Sequence, residues 1–198
     1  MFSGIVQGTG EVSKVISKKG YISIEINPPK NFNKSLKKGA SISVDGVCLT
    51  SVDKGIKKLR FDVIEETISR TNIKAIKKGS VVNLERSIKA STEIGGHLMS
   101  GHIHCTGKIK KILNKNSTKD IIVEFPKKFK EYIFEKGYIG LNGCSLTLGK
   151  VNKASFYLHL IPETLVVTNL DKLKVGSLVN IEIDQNTISV VETVKNTL

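Results

Sequence analysis

The sequence predicts an all-β protein: two small antiparallel barrels in tandem, followed by a short helix. Three observations carry this. The chain is written twice, its apolar residues alternate in short runs, and turn signals separate the runs. Sliding the 198-residue sequence along itself brings Ser3-Gly4 onto Ser100-Gly101, Thr9-Gly10 onto Thr106-Gly107, and Gly46, Leu49 and Thr50 onto Gly143, Leu146 and Thr147. Glu66-Thr67 falls on Glu163-Thr164, Thr71-Asn72 on Thr168-Asn169, and Gly79, Asn83 and Glu85 on Gly176, Asn180 and Glu182. The offset is constant (101 − 4 = 182 − 85 = 97). A solenoid needs three or more short repeats; two copies of roughly 90 to 100 residues make two domains of ordinary single-core size.

The elements follow in order. Met1 to Val6 reads as the first strand of the first barrel. Tyr21–Ile26, Ser41–Val44, Leu59–Val63, Val81–Glu85, Ile121–Phe125 and Ser155–Leu160 are β-rich, and several alternate with period two. Lys19-Gly20, Pro28-Pro29, Asp45-Gly46, Lys54-Gly55, Asn142-Gly143 and Asn152-Lys153 mark turns. Asp-Gly and Asn-Gly at matched places predict the same tight turn in both copies. Helix signals are short: Asn31–Leu36, Lys128–Ile133, and the matched pair Glu65–Ser69 and Pro162–Leu165. The last, Gln185–Leu198, carries Ile188, Val191, Val194 and Leu198 at helical spacing. That stripe needs cover, either its own barrel or a partner subunit. The domains are thus 1–97, 98–184 and a C-terminal helix, 185–198.

Composition excludes several classes. No apolar run approaches the roughly 20 residues of a membrane span, and the N-terminus has no basic region followed by an apolar stretch, so neither a membrane protein nor a signal peptide is expected. The net charge of +13 invites a nucleic-acid reading. Arginine, which base and phosphate recognition favours, occurs only at Arg60, Arg70 and Arg86, and the lysines come in scattered pairs such as Lys18-Lys19 and Lys77-Lys78. A solvated surface is the better reading, with no nucleic-acid partner. Three cysteines, Cys48, Cys105 and Cys144, are an odd number without metal-site spacing, which fits a reducing cytoplasm better than a disulfide framework. His97, His102, His104 and Cys105 match no familiar zinc pattern. If residues 101 to 105 form a strand, His102 and His104 share a face and Cys105 does not. No metal is expected.

The motifs in hand resemble the riboflavin synthase family of lumazine-binding double barrels, over essentially the whole chain. They are Met1-Phe2-Ser3-Gly4-Ile5-Val6, Asp45-Gly46-Val47-Cys48-Leu49-Thr50, Ile94-Gly95-Gly96-His97-Leu98-Met99-Ser100-Gly101-His102, Gly140-Leu141-Asn142-Gly143-Cys144-Ser145-Leu146-Thr147, His159-Leu160-Ile161-Pro162-Glu163-Thr164 and Asn180-Ile181-Glu182-Ile183-Asp184. The resemblance implies two six-stranded Greek-key barrels and a C-terminal trimerisation helix. It implies dismutation of two 6,7-dimethyl-8-ribityllumazine molecules, by transfer of a four-carbon unit, to riboflavin and 5-amino-6-(ribitylamino)uracil. No metal or redox cofactor is implied. The active site is expected between the N-terminal barrel of one subunit and the C-terminal barrel of its neighbour in a homotrimer, and a lumazine synthase shell encloses some relatives.

The same resemblance implies the site. Cys48, Leu49 and Thr50, with Ser145, Leu146 and Thr147, line two pockets. Gly4, Ile5 and Val6, and Gly101, His102 and Ile103, complete them. Asp62, Val63, Ile64, Glu65, Glu66 and Thr67 contact ligand in one copy, and His159, Leu160, Ile161, Pro162, Glu163 and Thr164 in the other. Lys136 aligns with a ligand contact, Ser41 and Asp184 with positions implicated in activity, and Phe2 packs near the ring. Chemistry suggests roles. Proton abstraction from the ring methyl needs a base near neutral pH, which suits His102. Cys48 is a candidate nucleophile toward an electrophilic ring carbon, with Ser145 or water as alternatives. The copies differ at Cys48/Ser145, Ile5/His102, Asp62/His159 and Glu65/Pro162, as donor and acceptor pockets should. Asn142 stands where relatives carry an acidic residue, and the terminal helix is shorter than theirs. The alternative is a non-catalytic lumazine- or flavin-binding protein of the same fold; an intact second copy favours the enzyme.

Overall fold

Period-two alternation yields the strands. The computed structural model describes residues 1–54 and 57–197; Gly55 of the Lys54-Gly55 signal and Leu198 of the helical stripe lie outside the described residues. Strands β1 (Gly8–Lys18), β2 (Tyr21–Asn27), β3 (Ser41–Val44), β4 (Val47–Thr50), β5 (Leu59–Ile64) and β6 (Val81–Arg86) form an antiparallel sheet in the order β4-β3-β6-β1-β2-β5. Strands β7 (Cys105–Lys115), β8 (Thr118–Glu124), β9 (Tyr138–Leu141), β10 (Cys144–Thr147), β11 (Ser155–Leu160) and β12 (Leu178–Ile183) repeat that order. Bridges Ser51–Phe61 and Val151–Phe156 draw the edges together and close each sheet into a barrel. Alternation sets the faces: Leu59, Phe61 and Val63 point into the first core, while Arg60, Asp62 and Ile64 point out. Asp45-Gly46 and Asn142-Gly143 form the same hairpin turn, with φ of 47° and 83° against 46° and 78°, the paired positive values of a type I′ turn.

The N-terminal strand expected over Met1 to Val6 does not form. Phe2 makes a single bridge to Met99, and β1 begins only at Gly8. Gly4, at φ +73°, turns the chain out of extended geometry. The Glu85 carboxylate accepts from the Ser3 amide (2.7 Å), the Ser3 hydroxyl (2.8 Å) and the Gly4 amide (3.1 Å), taking donors that a ladder would have used. The segment crosses to the other barrel, where Val6 is buried with Ile109, Leu141 and Phe156. Its repeat counterpart makes the reciprocal crossing: Ile103 is buried with Val44, Leu49 and Leu84 of the first barrel. Each copy's lead-in thus plugs its sister's core.

Asn31 to Leu36 is not a helix but a run of turns, because Asn31 and Ser35 take φ of 66° and 56°. Phe32 and Leu36 still anchor it in the core. The matching segment is a short 3-10 helix, Lys127–Tyr132. Helices α1 (Glu65–Arg70) and α2 (Pro162–Val167) occupy matched places. The terminal α3 (Gln185–Thr197) packs Ile188 on the second core and leaves Val190 and Val194 exposed. Lys195 pairs with Glu131, and the Tyr132 hydroxyl donates to Glu192, which clasps α3 to the 3-10 turn.

The barrels meet across an approximate twofold. The two hairpin turns touch: a Cβ on Gly46 would stand 2.8 Å from the Gly143 amide nitrogen. Asn72 and Asn169 donate backbone N–H to Asn180 Oδ1 and Asn83 Oδ1, both at 2.6 Å. Asn180 and Asn83 Nδ2 donate in turn to the carbonyls of Asp45 (2.8 Å) and Asn142 (2.9 Å).

Candidate functional site

Two half-sites lie where a lead-in segment crosses onto the other barrel's hairpin. In the first, the Cys48 N–H donates to the Gly101 carbonyl (2.9 Å). The approach requires glycine: φ at Gly101 is +81°, and a Cβ there would lie 2.5 Å from Cys48 Cβ. Glu182 secures the segment by accepting from the Ser100 amide (2.6 Å), the Ser100 hydroxyl (2.8 Å) and the Gly101 amide. The resulting cavity, about 230 Å³, gathers Cys48, Glu66, Thr67, Gly101, His102 and Ile103, with Arg70 ion-paired to Glu66 at its rim.

The second half-site repeats the cradle with different chemistry. The Ser145 N–H donates to the Gly4 carbonyl (2.8 Å), and a Cβ on Gly4, at φ +73°, would lie 2.5 Å from Ser145 Cβ. Ser145 Oγ lies 2.6 Å from Nδ1 of His97, whose ring stacks on Tyr138 at 5.2 Å. Burial pulls the His97 pKa down, with Asp184 opposing through its charge. Lys136 is exposed near Thr147, its amide donating to the Leu148 carbonyl (2.9 Å). It takes φ +67° where the aligned residue is Gly39.

The remaining candidates differ in exposure. Phe2, Val6, Leu49, Val63, Ile103 and Leu160 are buried side chains; Val63 and Leu160 sit in opposite cores and offer a ligand only main chain. Asp62, Ile64, Glu65, His159, Ile161, Pro162 and Glu163 are exposed. Asp62 accepts from the Ser23 hydroxyl, and His159 Nδ1 meets Asp120 Oδ1 at 2.7 Å in the equivalent position. Ile5 and Thr147 are exposed, whereas Leu146 and Thr164 are half-buried. Ser41 faces Thr50 across the β3–β4 ladder. Asp184 caps α3, its Oδ2 accepting from the Thr187 amide and hydroxyl (both 2.9 Å).

The shared strand face expected for His102 and His104 is absent, because β7 starts at Cys105 and the preceding residues are irregular. His104 Nδ1 accepts from the Ile183 amide (3.1 Å), His97 faces Ser145 and His102 is exposed in the first cavity, so the three histidines do not converge. All three cysteines are free; burial pushes the Cys105 and Cys144 thiols up to about 12, while Cys48 is half-buried.

Sequence reasoning missed Glu85, Glu182, Tyr138, Arg70 and the pairing of His97 with Ser145. A signal existed for the glutamates: each is an acidic residue at a matched place in the last strand of its barrel, two residues after a matched asparagine.

The lumazine-binding domain family matches residues 3–87 and 100–184, once per barrel. Riboflavin synthase of Escherichia coli (strain K12) is 43% identical over 199 residues, covering 100% of this chain and 93% of that one. The chain belongs to the riboflavin synthase family. Riboflavin synthase of Chlamydia pneumoniae is 41% identical, covering 100% of this chain and 97% of its own. That of Buchnera aphidicola subsp. Schizaphis graminum is 40% identical, with 98% and 94% covered. Among solved structures, LumP complexed with riboflavin superposes with a TM-score of 0.87 at 28% identity, covering 93% of this chain and 100% of LumP. LumP complexed with 6,7-dimethyl-8-(1'-D-ribityl) lumazine gives 0.85 at the same identity and coverage. The lumazine-binding domain is therefore present in both barrels. Among the described residues no helix is long and apolar enough to cross a membrane.

Proposed function

We propose that the chain catalyses the dismutation of two 6,7-dimethyl-8-ribityllumazine molecules, passing a four-carbon unit from one to the other to yield riboflavin and 5-amino-6-(ribitylamino)uracil. One observation carries the reading. The two half-sites share a main-chain cradle, Gly101 on Cys48 and Gly4 on Ser145, yet differ in side-chain chemistry. Matching cradles suit the same ring twice, and unlike side chains suit a donor and an acceptor. Held face to face, two substrates react with the advantage of an intramolecular step.

In this reading residues 4–6, 48–50, 62–67, 101–103, 145–147 and 159–164, with Lys136, hold ligand. His102 is the base for the ring methyl, Cys48 or Ser145 the nucleophile, and Ser41 and Asp184 supporting groups. The domains divide at 97/98 and 184/185. A homotrimer, in which α3 buries Val190 and Val194, would bring a first half-site of one subunit against a second half-site of its neighbour. The enzyme would act in the cytoplasm without metal or redox cofactor.

The test is direct. Purified chain, with chelator and without added cofactor, is mixed with 6,7-dimethyl-8-ribityllumazine, and riboflavin absorbance is followed. Sustained riboflavin formation supports the dismutase. Tight binding without riboflavin would instead make the chain a ligand carrier, the kind of complex that LumP forms with its ligands.

A further inference from the structure

We propose that Asp45 is a positioning residue for both cradles, and that the contact between the barrels takes a single carboxylate, which either copy can supply. The inference rests on the ligand assigned under the proposed function, and it concerns how the cradles are held rather than how the ring reacts.

Six buried residues join the two hairpin turns: Asp45, Asn72 and Asn83 from the first copy, and their repeat partners Asn142, Asn169 and Asn180 from the second. Bonds that involve backbone mostly obey the twofold. The Asn83 and Asn180 amides donate to Asp45 Oδ1 (2.7 Å) and Asn142 Oδ1 (2.8 Å). The side chains of Asn180 and Asn83 each accept from the opposite asparagine amide and donate to the opposite turn carbonyl. Bonds between side chains break the symmetry. Asn72 Nδ2 donates to Asp45 Oδ2 (3.0 Å), and Asn72 Oδ1 accepts from Asn180 Nδ2 (2.9 Å). The mirror-image arrangement would aim Asn169 Nδ2 at Asn142 Nδ2, donor against donor. Asn169 Nδ2 instead meets Asp45 Oδ1 (2.9 Å) and the Val81 carbonyl (3.0 Å). Its Oδ1 thereby misses Asn83 Nδ2 and is left buried without a partner among the described residues. Each amide orientation is fixed by a backbone group or by the carboxylate, which only accepts.

The carboxylate count follows. Asp45→Asn replaces one acceptor with a donor and strands Asn72 Nδ2. Asn142→Asp buries a second charge where both asparagine amides are already engaged. Made together, the two changes mirror the network, and the unpartnered oxygen passes from Asn169 to Asn72. The network reaches the cradles through the turns. Gly46 and Gly143 pack so closely that a Cβ on Gly143 would stand 2.7 Å from the Gly46 amide nitrogen. Just beyond them β4 and β10 carry Cys48 and Ser145, whose N–H groups dock on Gly101 and Gly4 of the other copy's lead-in. A shift of the turns is therefore a shift of both cradles.

Three variants test this at pH 7.5, where Asp45, pushed up to about 6 by burial, is ionised. Asp45→Asn and Asn142→Asp should each weaken binding of 6,7-dimethyl-8-ribityllumazine roughly tenfold, the scale of one lost hydrogen bond. Each should also speed amide exchange at Cys48 and Ser145 while leaving Phe61 and Phe156, in the cores, unchanged. The double variant that transposes the carboxylate should return to within about threefold of wild type in both readouts, because the two losses are coupled. A single variant that does not fold, beside a transposed chain that folds and binds, supports the proposal equally. Single variants that match wild type, or a transposed chain that is unfolded or as weak as either single, would overturn it. So would exchange that rises at Phe61 and Phe156 as much as at Cys48 and Ser145, the mark of a merely structural role. The exchange readout needs no ligand, so it stands even if the chain binds no lumazine. Wild type that binds lumazine but makes no riboflavin would defeat the dismutase reading and leave this test intact.

Discussion

At Asp45 the two barrels share one buried carboxylate. It accepts from the Asn83 amide (2.7 Å), Asn72 Nδ2 (3.0 Å) and Asn169 Nδ2 (2.9 Å), the last two drawn from both copies. Its aligned partner, Asn142, accepts from the Asn180 amide (2.8 Å). A second carboxylate there would find both asparagine amides already committed, and an unpaired buried charge is costly. That gives the departure at Asn142 a structural reason: it lies in the contact between barrels, outside both cradles. The asymmetry leaves Asn169 Oδ1 buried without a partner. Burial pushes Asp45 from 3.8 up to about 6, against the pull of its three donors. Because the folded value is raised, the ionised form opposes folding, and stability attributable to Asp45 grows as pH falls from 6 toward 4. The shift corresponds to at most about 3 kcal/mol. Urea unfolding of wild type and Asp45→Asn should show the wild type gaining relative to the variant between pH 7.5 and pH 5. A gap that stays constant would mean that the donors keep Asp45 ionised throughout.

The lead-in segments are the elements that make the cradles, and a glutamate on the last strand of each barrel holds each one in place. Ser3 lies 82 residues from Glu85, and Ser100 the same distance from Glu182. Glu182→Gln should exchange a charge-assisted clamp for a weaker one, costing about 1–3 kcal/mol locally. Amide exchange at Ser100 and Gly101 should accelerate at least about tenfold, and riboflavin formation should fall because His102 loses its fixed place. Unchanged exchange at both amides would show that the Cys48–Gly101 contact and Ile103 suffice. These segments were also the least legible part of the sequence. Met1 to Val6 looks like a strand by composition, and only Gly4 at positive φ and the distant Glu85 make it a crossing plug. Asn31 to Leu36 misled similarly, since Asn31 and Ser35 accept the left-handed region.

The whole molecule presents two related cradles and one partly exposed helix face. Ile188 is packed on the second barrel, whereas Val190 and Val194 are 63% and 51% exposed, a division that suits a partner subunit on the outer face. Cutting the chain after Asp184 should dissociate the assembly in light scattering and abolish riboflavin formation. Full turnover by a truncated monomer would reject the shared-site arrangement. At this scale much was legible beforehand. The offset of 97 places matching strands, the matched turns and both α1 and α2, because strand alternation and Asp-Gly or Asn-Gly turns are local properties of neighbouring residues. The motifs around Cys48, His97, Ser145 and His159 likewise identify the family without coordinates. Local chemistry could not say which barrel a lead-in segment joins, since the two barrels are near copies and offer similar cores. Contacts over long separations decide that: Glu85 and Glu182 grip the segments, and Val6 and Ile103 fill opposite cores. The same long-range packing sets His97 against Ser145 and places His102 beside Cys48. The order of residues therefore specifies two barrels and their chemistry, and only their docking assigns each catalytic candidate to a pocket.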